Sequence, residues 1–180
     1  MIELVLPAVV VLVGPPAAGK TRVRRRLHDA GLAAALAVGL DDLRRAERAR
    51  AAAAGEPVRP LQDYSLTAVR AAADRHRELL DAGTGYLSDA TNLRRRERVD
   101  HVRAARAAGL PAVALMLPDH AVDSLLARDA LRPADERVPA DVIAAYAHRR
   151  SLLSADLLRG EGFTAVHDVD DLTHFRIELS

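Results

Sequence analysis

A glycine-rich segment near the start of the chain has the residue types that bind phosphate. Residues 14–21 read Gly-Pro-Pro-Ala-Ala-Gly-Lys-Thr and satisfy the pattern GxxxxGK[ST]. In that pattern the loop N–H groups and the N-terminus of the following helix surround phosphates, the lysine reaches the β- and γ-phosphates, and the hydroxyl binds Mg²⁺. The segment therefore predicts a site for a nucleoside triphosphate and Mg²⁺. Its predicted members are Gly14, Pro15, Pro16, Ala17, Ala18, Gly19, Lys20 and Thr21.

Lys20 is the only lysine among the 26 residues that are lysine or arginine. A compact ammonium group fits close to phosphates where the broader guanidinium fork does not. The retention of one lysine at this position therefore favours a phosphate site over a glycine-rich turn without a ligand. The pattern does not distinguish an ATPase, a GTPase and a kinase.

A carboxylate follows the apolar run Leu36–Leu40, in the segment Asp41-Asp42-Leu43-Arg44. The carboxyl ends of parallel strands face the ligand crevice. Asp41 could accept a proton from an attacking hydroxyl there, and Arg44 could hold an anionic group of the acceptor. Asp42 and Arg45 have the same spacing, so either register is open. The alternative is that an aspartate merely caps a helix and that the arginine is a solvated charge.

A second polar group, Ser88-Asp89-Ala90-Thr91-Asn92, follows the run that starts at Tyr86. Asp89 is expected near Mg²⁺, and Asp89, Thr91 and Asn92 are candidates for substrate binding. Alternatively, Thr91 or Asn92 caps the next helix. Asn92 is the only asparagine, which favours a specific hydrogen bond for its amide.

An arginine-rich segment, about residues 126–140, lies between two expected helices. Arg128 and Arg132 are four residues apart, on one helix face. The segment contains prolines, so it could move as a lid whose arginines offset the charge that develops during phosphoryl transfer. The alternative is a solvated loop with internal ion pairs.

Apolar runs alternate with helical patterns along the whole chain, which predicts an α/β fold with a parallel sheet of about five strands flanked by helices. The expected strands are Ala8–Val13, Leu36–Leu40, Tyr86–Asp89, Ala112–Leu117 and Phe163–Val169. The expected helices are Thr21–Ala30, Asp41–Ala54, Leu66–Leu80, Asn92–Ala108, His120–Ala130 and Ala140–Leu158. A short C-terminal tail follows, and residues 1–180 are expected to form a single domain.

The composition excludes several classes of protein. Apolar residues make up 49% of the 180-residue chain, which excludes global disorder. No cysteine is present, which excludes disulfides, thiolate metal sites and a cysteine nucleophile. The apolar run Ala8–Val13 is too short to span a membrane and has no signal-peptide features, so we expect a cytoplasmic protein without a membrane partner.

The net charge of +1 gives no support for bulk nucleic-acid binding. The basic helix after Asn92 could bind an anionic partner or form a solvated face.

Four motifs in order resemble the P-loop polynucleotide 5′-kinases, most closely the kinase domain of bacterial RNA-repair (end-healing) enzymes. They are the phosphate loop, Asp41-x-x-Arg44, Asp89-Ala-Thr-Asn92 and an arginine-rich lid that ends in Arg137-Val-Pro139. The resemblance extends from Leu4 to Phe175. It implies a P-loop NTPase-type fold with a helical lid, and an ATP-dependent, Mg²⁺-dependent kinase that phosphorylates 5′-hydroxyl ends of RNA or DNA.

The resemblance also implies roles for individual residues. Asp41 would be the general base, and Arg44 would grip the phosphate 3′ to the target nucleoside. Lys20 and the lid residues Arg128, Arg132 and Arg137 would contact ATP phosphates. Separate repair proteins are potential partners. Two other functions stay open: a small-molecule kinase with the same machinery, and a non-catalytic module whose nucleotide occupancy switches a partner.

Overall fold

A five-stranded parallel sheet forms the centre of the protein in a computed structural model, which describes residues 2–169 and 177–179. The strands of this sheet are β2 (Ala8–Val13), β3 (Ala37–Gly39), β4 (Gly85–Asp89), β5 (Ala112–Met116) and β6 (Ala165–Asp168). Two further strands, β1 (Ile2–Leu4) and β7 (Ile177–Leu179), lie outside it. The helices are α1 (Lys20–Asp29), α2 (Leu40–Ala53), α3 (Ser65–Asp81), α4 (Arg95–Ala107), α5 (Val122–Asp129), α6 (Ala140–Ser151) and α7 (Ala155–Gly160).

The sheet has the strand order β3-β4-β2-β5-β6, and every pairing in it is parallel. Strand β2 is central, and all six of its residues are buried because helices cover both faces of the sheet. Val10 and Leu12 pack with Leu27 of α1, on the face that also contacts α6. Val11 belongs to the opposite layer, with Leu79 of α3. The predicted α/β fold class is therefore confirmed.

Three element predictions were wrong in detail. The helix predicted over Ala140–Leu158 is two helices, α6 and α7, because Ser154 has an extended backbone and accepts a hydrogen bond from Leu157 N–H as the N-cap of α7. The basic helix begins at Arg95 rather than Asn92, since Asn92 has a left-handed backbone with φ 47°. The strand predicted to end at Leu40 ends at Gly39, so Asp41 lies in the first turn of α2.

A small second sheet was not predicted from the sequence. Strand β1 pairs with β7 in parallel, with Leu4 opposite Leu179. Residues 170–176 of the predicted tail, among them Phe175 at the end of the family resemblance, lie outside the described residues, as do residues 1 and 180. The single-domain prediction for residues 1–180 is not tested by these observations.

The predicted lid joins α5 to α6 through a 3-10 turn at Ala134–Glu136. Asp129 is buried at the end of α5 and accepts a hydrogen bond of 2.9 Å from the N–H of Val138. This contact fixes the two ends of the lid loop to each other.

Helices that are long and apolar enough to cross a membrane do not occur in the described part of the chain.

Candidate active site

The phosphate loop connects the end of β2 to the start of α1. Ala17 and Gly19 have positive φ angles of 61° and 103°. Helix α1 begins at Lys20 without a side-chain cap and without an acidic residue in its first turn. Its N-terminal N–H groups are therefore suited to an anion. Gly14 is required for packing, because a Cβ there would lie 2.8 Å from the Cβ of Leu117.

The Lys20 ammonium group lies against the loop itself. Its Nζ donates to the carbonyl oxygens of Gly14 at 3.2 Å and Pro15 at 2.7 Å. Burial lowers the pKa of Lys20 to about 8, and the nearby Asp89 and Asp41 carboxylates act against that decrease. A bound triphosphate would raise this pKa again, since an adjacent anion stabilises an ammonium group.

A cavity of about 710 Å³ extends from the phosphate loop between α2, α3, α4 and the lid. The predicted site residues that line it are Pro16, Ala17, Gly19, Lys20, Thr21, Asp41, Arg44, Asp89, Thr91, Arg128 and Arg132. The predicted site residues that do not line it are Gly14, Pro15, Ala18, Asn92 and Arg137.

Asp41 lies at the centre of the charged groups in this cavity. Its Oδ1 accepts a hydrogen bond of 2.7 Å from Nη1 of Arg44, and its Oδ2 lies 3.5 Å from Nη2 of Arg132 in the lid. Burial alone raises the pKa of Asp41, but the Arg44 and Arg132 charges and the ammonium group of Lys20 outweigh it and hold the pKa below its usual value. Asp41 is therefore an anion at neutral pH.

Asp42 has different partners from Asp41. Its Oδ2 accepts a hydrogen bond of 2.6 Å from Arg24, and its Oδ1 accepts one of 3.2 Å from Arg45. Arg24 also donates to Asp89 at 3.0 Å. Burial raises the pKa of Asp89, although Lys20 and Arg24 act in the opposite direction. Two neighbouring aspartates on α2 thus belong to separate ion-pair systems.

Arg24 was missed by the sequence reasoning. It is one of four arginines within residues 22–26, so no local pattern distinguishes it. Gly39 allows its approach, because a Cβ there would lie 3.1 Å from Arg24 Nη1 and 3.0 Å from Asp42 Oδ2. Only the assembled fold shows that this arginine connects α1 to α2 and β4.

Asn92 makes a specific hydrogen bond, but its partner is a backbone carbonyl in the protein core and not a group that lines the cavity. Its buried amide Nδ2 donates to the carbonyl of Leu12 at 2.8 Å, and its Oδ1 lies 3.2 Å from Nε2 of His101. The carbonyl of Thr91 accepts a hydrogen bond of 3.0 Å from the N–H of Gly14. The two residues therefore attach β4 to the end of β2 and to the phosphate loop. The placement of Asn92 does not support its predicted contact with substrate.

The lid arginines divide into two groups. Arg128 and Arg132 line the cavity, and Nη1 of Arg128 lies 3.1 Å from Nε2 of His120. Arg137 instead donates to the carbonyls of Ala130 at 2.8 Å and Arg132 at 3.1 Å, where it stabilises the end of α5. This geometry does not support the predicted contact of Arg137 with ATP.

The residues present fit a magnesium nucleotide. Thr21 lines the cavity directly after Lys20, where the phosphate-loop pattern requires a hydroxyl ligand. Over residues 2–169 and 177–179, no group of three or more His, Cys, Asp or Glu side chains could hold a metal ion by itself. A magnesium ion would therefore be held by the Thr21 hydroxyl together with the nucleotide phosphates and water.

A parallel sheet with a phosphate loop after its central strand and an arginine-bearing lid defines a P-loop kinase-like domain. The chain belongs to the AAA domain family, whose model matches residues 9–153. A gluconokinase from Sinorhizobium meliloti 1021 has a similar structure, with a TM-score of 0.54 and 20% identity over 94% of this chain and 87% of that one. A kinase-like protein from Chloroflexus aurantiacus J-10-fl has a TM-score of 0.59 and 16% identity over 94% and 91% of the two chains.

These identities show a shared fold alone. The search of curated proteins finds no match. The expected P-loop kinase-like fold is thus confirmed, whereas the polynucleotide acceptor that the family resemblance implied stays a prediction.

Proposed function

We propose that the protein transfers the γ-phosphoryl group of ATP to a hydroxyl group of a small polar molecule. The observation that carries this proposal is the way α2 is joined to the lid. Arg45 donates to both carboxylate oxygens of Glu136, at 3.0 and 2.8 Å, and Arg48 donates to Asp135 at 2.5 Å. Arg45 also lines the cavity, so these pairs hold the lid against α2 at the cavity wall, an arrangement that suits a small acceptor.

The cavity has the dimensions of a small-ligand site. Its volume of about 710 Å³ lies within the usual range of roughly 300–1,000 Å³ for such pockets. Cationic side chains from α1, α2, the lid and the residue before α4 outnumber the anionic ones in its lining. This surplus suits a triphosphate together with a polar or anionic acceptor.

The chemistry follows from the positions of the charged groups. The oxygen of the acceptor hydroxyl would form a bond to the γ-phosphorus while the bond from that phosphorus to the β,γ-bridging oxygen breaks. Asp41 would accept the proton that this hydroxyl loses. Lys20, Arg128 and Arg132 would stabilise the charge on the transferring phosphoryl group and on the ADP that leaves. Magnesium, when bound, neutralises charge on the β- and γ-phosphates.

A polynucleotide 5′-kinase is the second candidate, and the Asp41–Arg44 pair favours it. The guanidinium of Arg44 lies in the cavity lining, within 2.7 Å of the proposed base. A phosphate one nucleotide from the reacting hydroxyl could be gripped there by a charge-assisted bond. A nucleoside 3′-phosphate would then be a much better acceptor than the plain nucleoside, and Arg44→Leu would remove most of that preference.

The test is phosphate transfer from γ-labelled ATP with Mg²⁺ to a panel of acceptors. The panel contains sugars, sugar acids including gluconate, nucleosides, a nucleoside 3′-phosphate and 5′-hydroxyl oligonucleotides, with a reaction lacking acceptor as the control. Labelling of a small acceptor with the highest kcat/KM supports the proposal. Preferential labelling of oligonucleotides favours the second candidate. Phosphate release that no acceptor stimulates would contradict both and favour a nucleotide-binding module.

A further inference from the structure

Ser65, the first residue of α3, connects two parts of the cavity wall. Its Oγ donates to the carbonyl oxygen of Gln62 at 2.5 Å and accepts a hydrogen bond of 3.1 Å from Nε of Arg44. The same guanidinium donates through Nη1 to Oδ1 of Asp41 at 2.7 Å. A continuous set of hydrogen bonds therefore runs from the start of α3 to the carboxylate on α2.

The direction of each bond is fixed by chemistry. A serine hydroxyl has one proton, which is used on the Gln62 carbonyl, so its oxygen faces Arg44 as an acceptor. The guanidinium of Arg44 has no acceptor capacity and can only donate, through Nε to Ser65 and through Nη1 to Asp41. Because both donors belong to one rigid planar group, the two bonds together fix the orientation of the Arg44 guanidinium.

We propose that Ser65 is a positioning residue for phosphoryl transfer: it orients Arg44, and through Arg44 it fixes the carboxylate of Asp41. The inference rests on the proposed function, in which Asp41 accepts the hydroxyl proton. The bond from Ser65 to Gln62 by itself is an ordinary serine turn at a helix start. The contact with Arg44, 21 residues away in sequence, has no such local explanation.

The pKa of Asp41 provides a measure of how Arg44 is oriented. The charged groups around its carboxylate are Arg44, Arg132, Lys20, Asp42, Arg45 and Asp89. Arg44 lowers the pKa of Asp41 more than any other neighbour, through both its charge and its hydrogen bond. A misoriented Arg44 would therefore raise the pKa of Asp41 towards its usual value.

The experiment compares Ser65→Ala with Ser65→Thr and with a matched control, Ser151→Ala. Alanine is a good helix residue, and the N-cap of α3 is Tyr64, so Ser65→Ala is compatible with the helix. Ser151 makes the same local bond, to the His148 carbonyl at 2.9 Å, but is exposed and outside the cavity lining. The variants are examined by carboxyl NMR titration and by steady-state kinetics with the best acceptor of the panel.

In Ser65→Ala we expect the Asp41 resonance, assigned by its loss in Asp41→Asn, to titrate at higher pH than in the wild type. We expect kcat to fall by about tenfold or more while KM for ATP stays within about twofold. Ser65→Thr, which keeps the hydroxyl, should have an Asp41 titration and a kcat close to those of the wild type. Ser151→Ala should change neither quantity.

An unchanged Asp41 titration in Ser65→Ala would overturn the proposal, as would equal loss of kcat in Ser65→Ala and Ser151→Ala. A wild type that phosphorylates no acceptor would contradict the proposed function alone, since the titration tests the orientation of Asp41 without any turnover.

Discussion

Replacement of Asp41 by asparagine tests the proposed base with almost no change in side-chain size. The carboxylate of Asp41 is bound by Arg44 and lies near Arg132 and Lys20. Asparagine keeps a carbonyl oxygen for Arg44 but cannot accept a proton from an acceptor hydroxyl. The phosphate loop is not altered, so ATP should still bind.

The expected loss in kcat is about 10²–10⁴-fold, the usual contribution of a positioned general base. This corresponds to about 2.7–5.4 kcal/mol in the activation free energy at about 1.36 kcal/mol per factor of ten. The affinity for ATP should be unchanged or slightly higher, because removal of an anion close to Lys20 and Arg132 makes the donor site more positive.

Asp42→Asn is the matched control, since it removes the neighbouring carboxylate, which Arg24 and Arg45 bind instead. The assay measures ATP affinity by calorimetry and the rate of labelled phosphate transfer for both variants. If Asp42→Asn loses phosphate transfer while Asp41→Asn keeps it, the assignment of Asp41 as the base is refuted. Loss of ATP binding in Asp41→Asn would show that the carboxylate has a different role.

Four further outcomes are expected. Lys20→Ala should lower the transfer rate by at least about 10³-fold, and near-normal turnover would refute the role of the loop. Because the pKa of Lys20 is about 8, its charged fraction decreases above that pH, and the Kd for ATP should rise about tenfold from pH 7 to pH 9, an increase absent in Lys20→Ala. Arg45→Gln breaks an ion pair between α2 and the lid, and should raise the relative kcat/KM for oligonucleotide over small acceptors if that pair restricts entry. Arg98→Leu leaves the buried Glu161 without its bidentate partner and should lower the free energy of unfolding by about 3–5 kcal/mol in urea titrations, whereas the exposed Arg103→Leu should change it little.

The phosphate loop could be predicted from the sequence because its function depends on a contiguous backbone. A fixed spacing of Gly14, Gly19 and Lys20 after a buried strand determines where the N–H groups and the ammonium group lie. The placement of Asp41 and Asp89 beside the loop could be predicted for a related reason, since parallel strands bring their carboxyl ends to one edge of the sheet.

Pairing between distant segments could not be predicted in this way. Arg98 lies in a run of arginines that suggests a solvated face, yet it is buried and binds Glu161 with two bonds, at 2.7 and 2.6 Å. Asn92 and Arg137 have residue types that suit a ligand, but their hydrogen bonds are made within the protein: Arg137 donates to backbone carbonyls, and Asn92 donates to one and also contacts His101. In these cases the tertiary contact determines the role, and the local sequence contains no signal for it.

The two halves of the cavity differ in how they are held together. The donor half follows β2, where substitutions are costly because every side chain of that strand is enclosed. The opposite wall belongs to α2, α3 and the lid, and solvent-accessible ion pairs such as Arg45–Glu136 join α2 to the lid. Exposed pairs of this kind contribute roughly 0–1 kcal/mol each. The acceptor-facing side chains of α2 and α3 other than Asp41 can therefore be changed to suit a new alcohol at little cost in folding stability, while Lys20 and the lid residues Arg128 and Arg132, which would bind ATP, are kept.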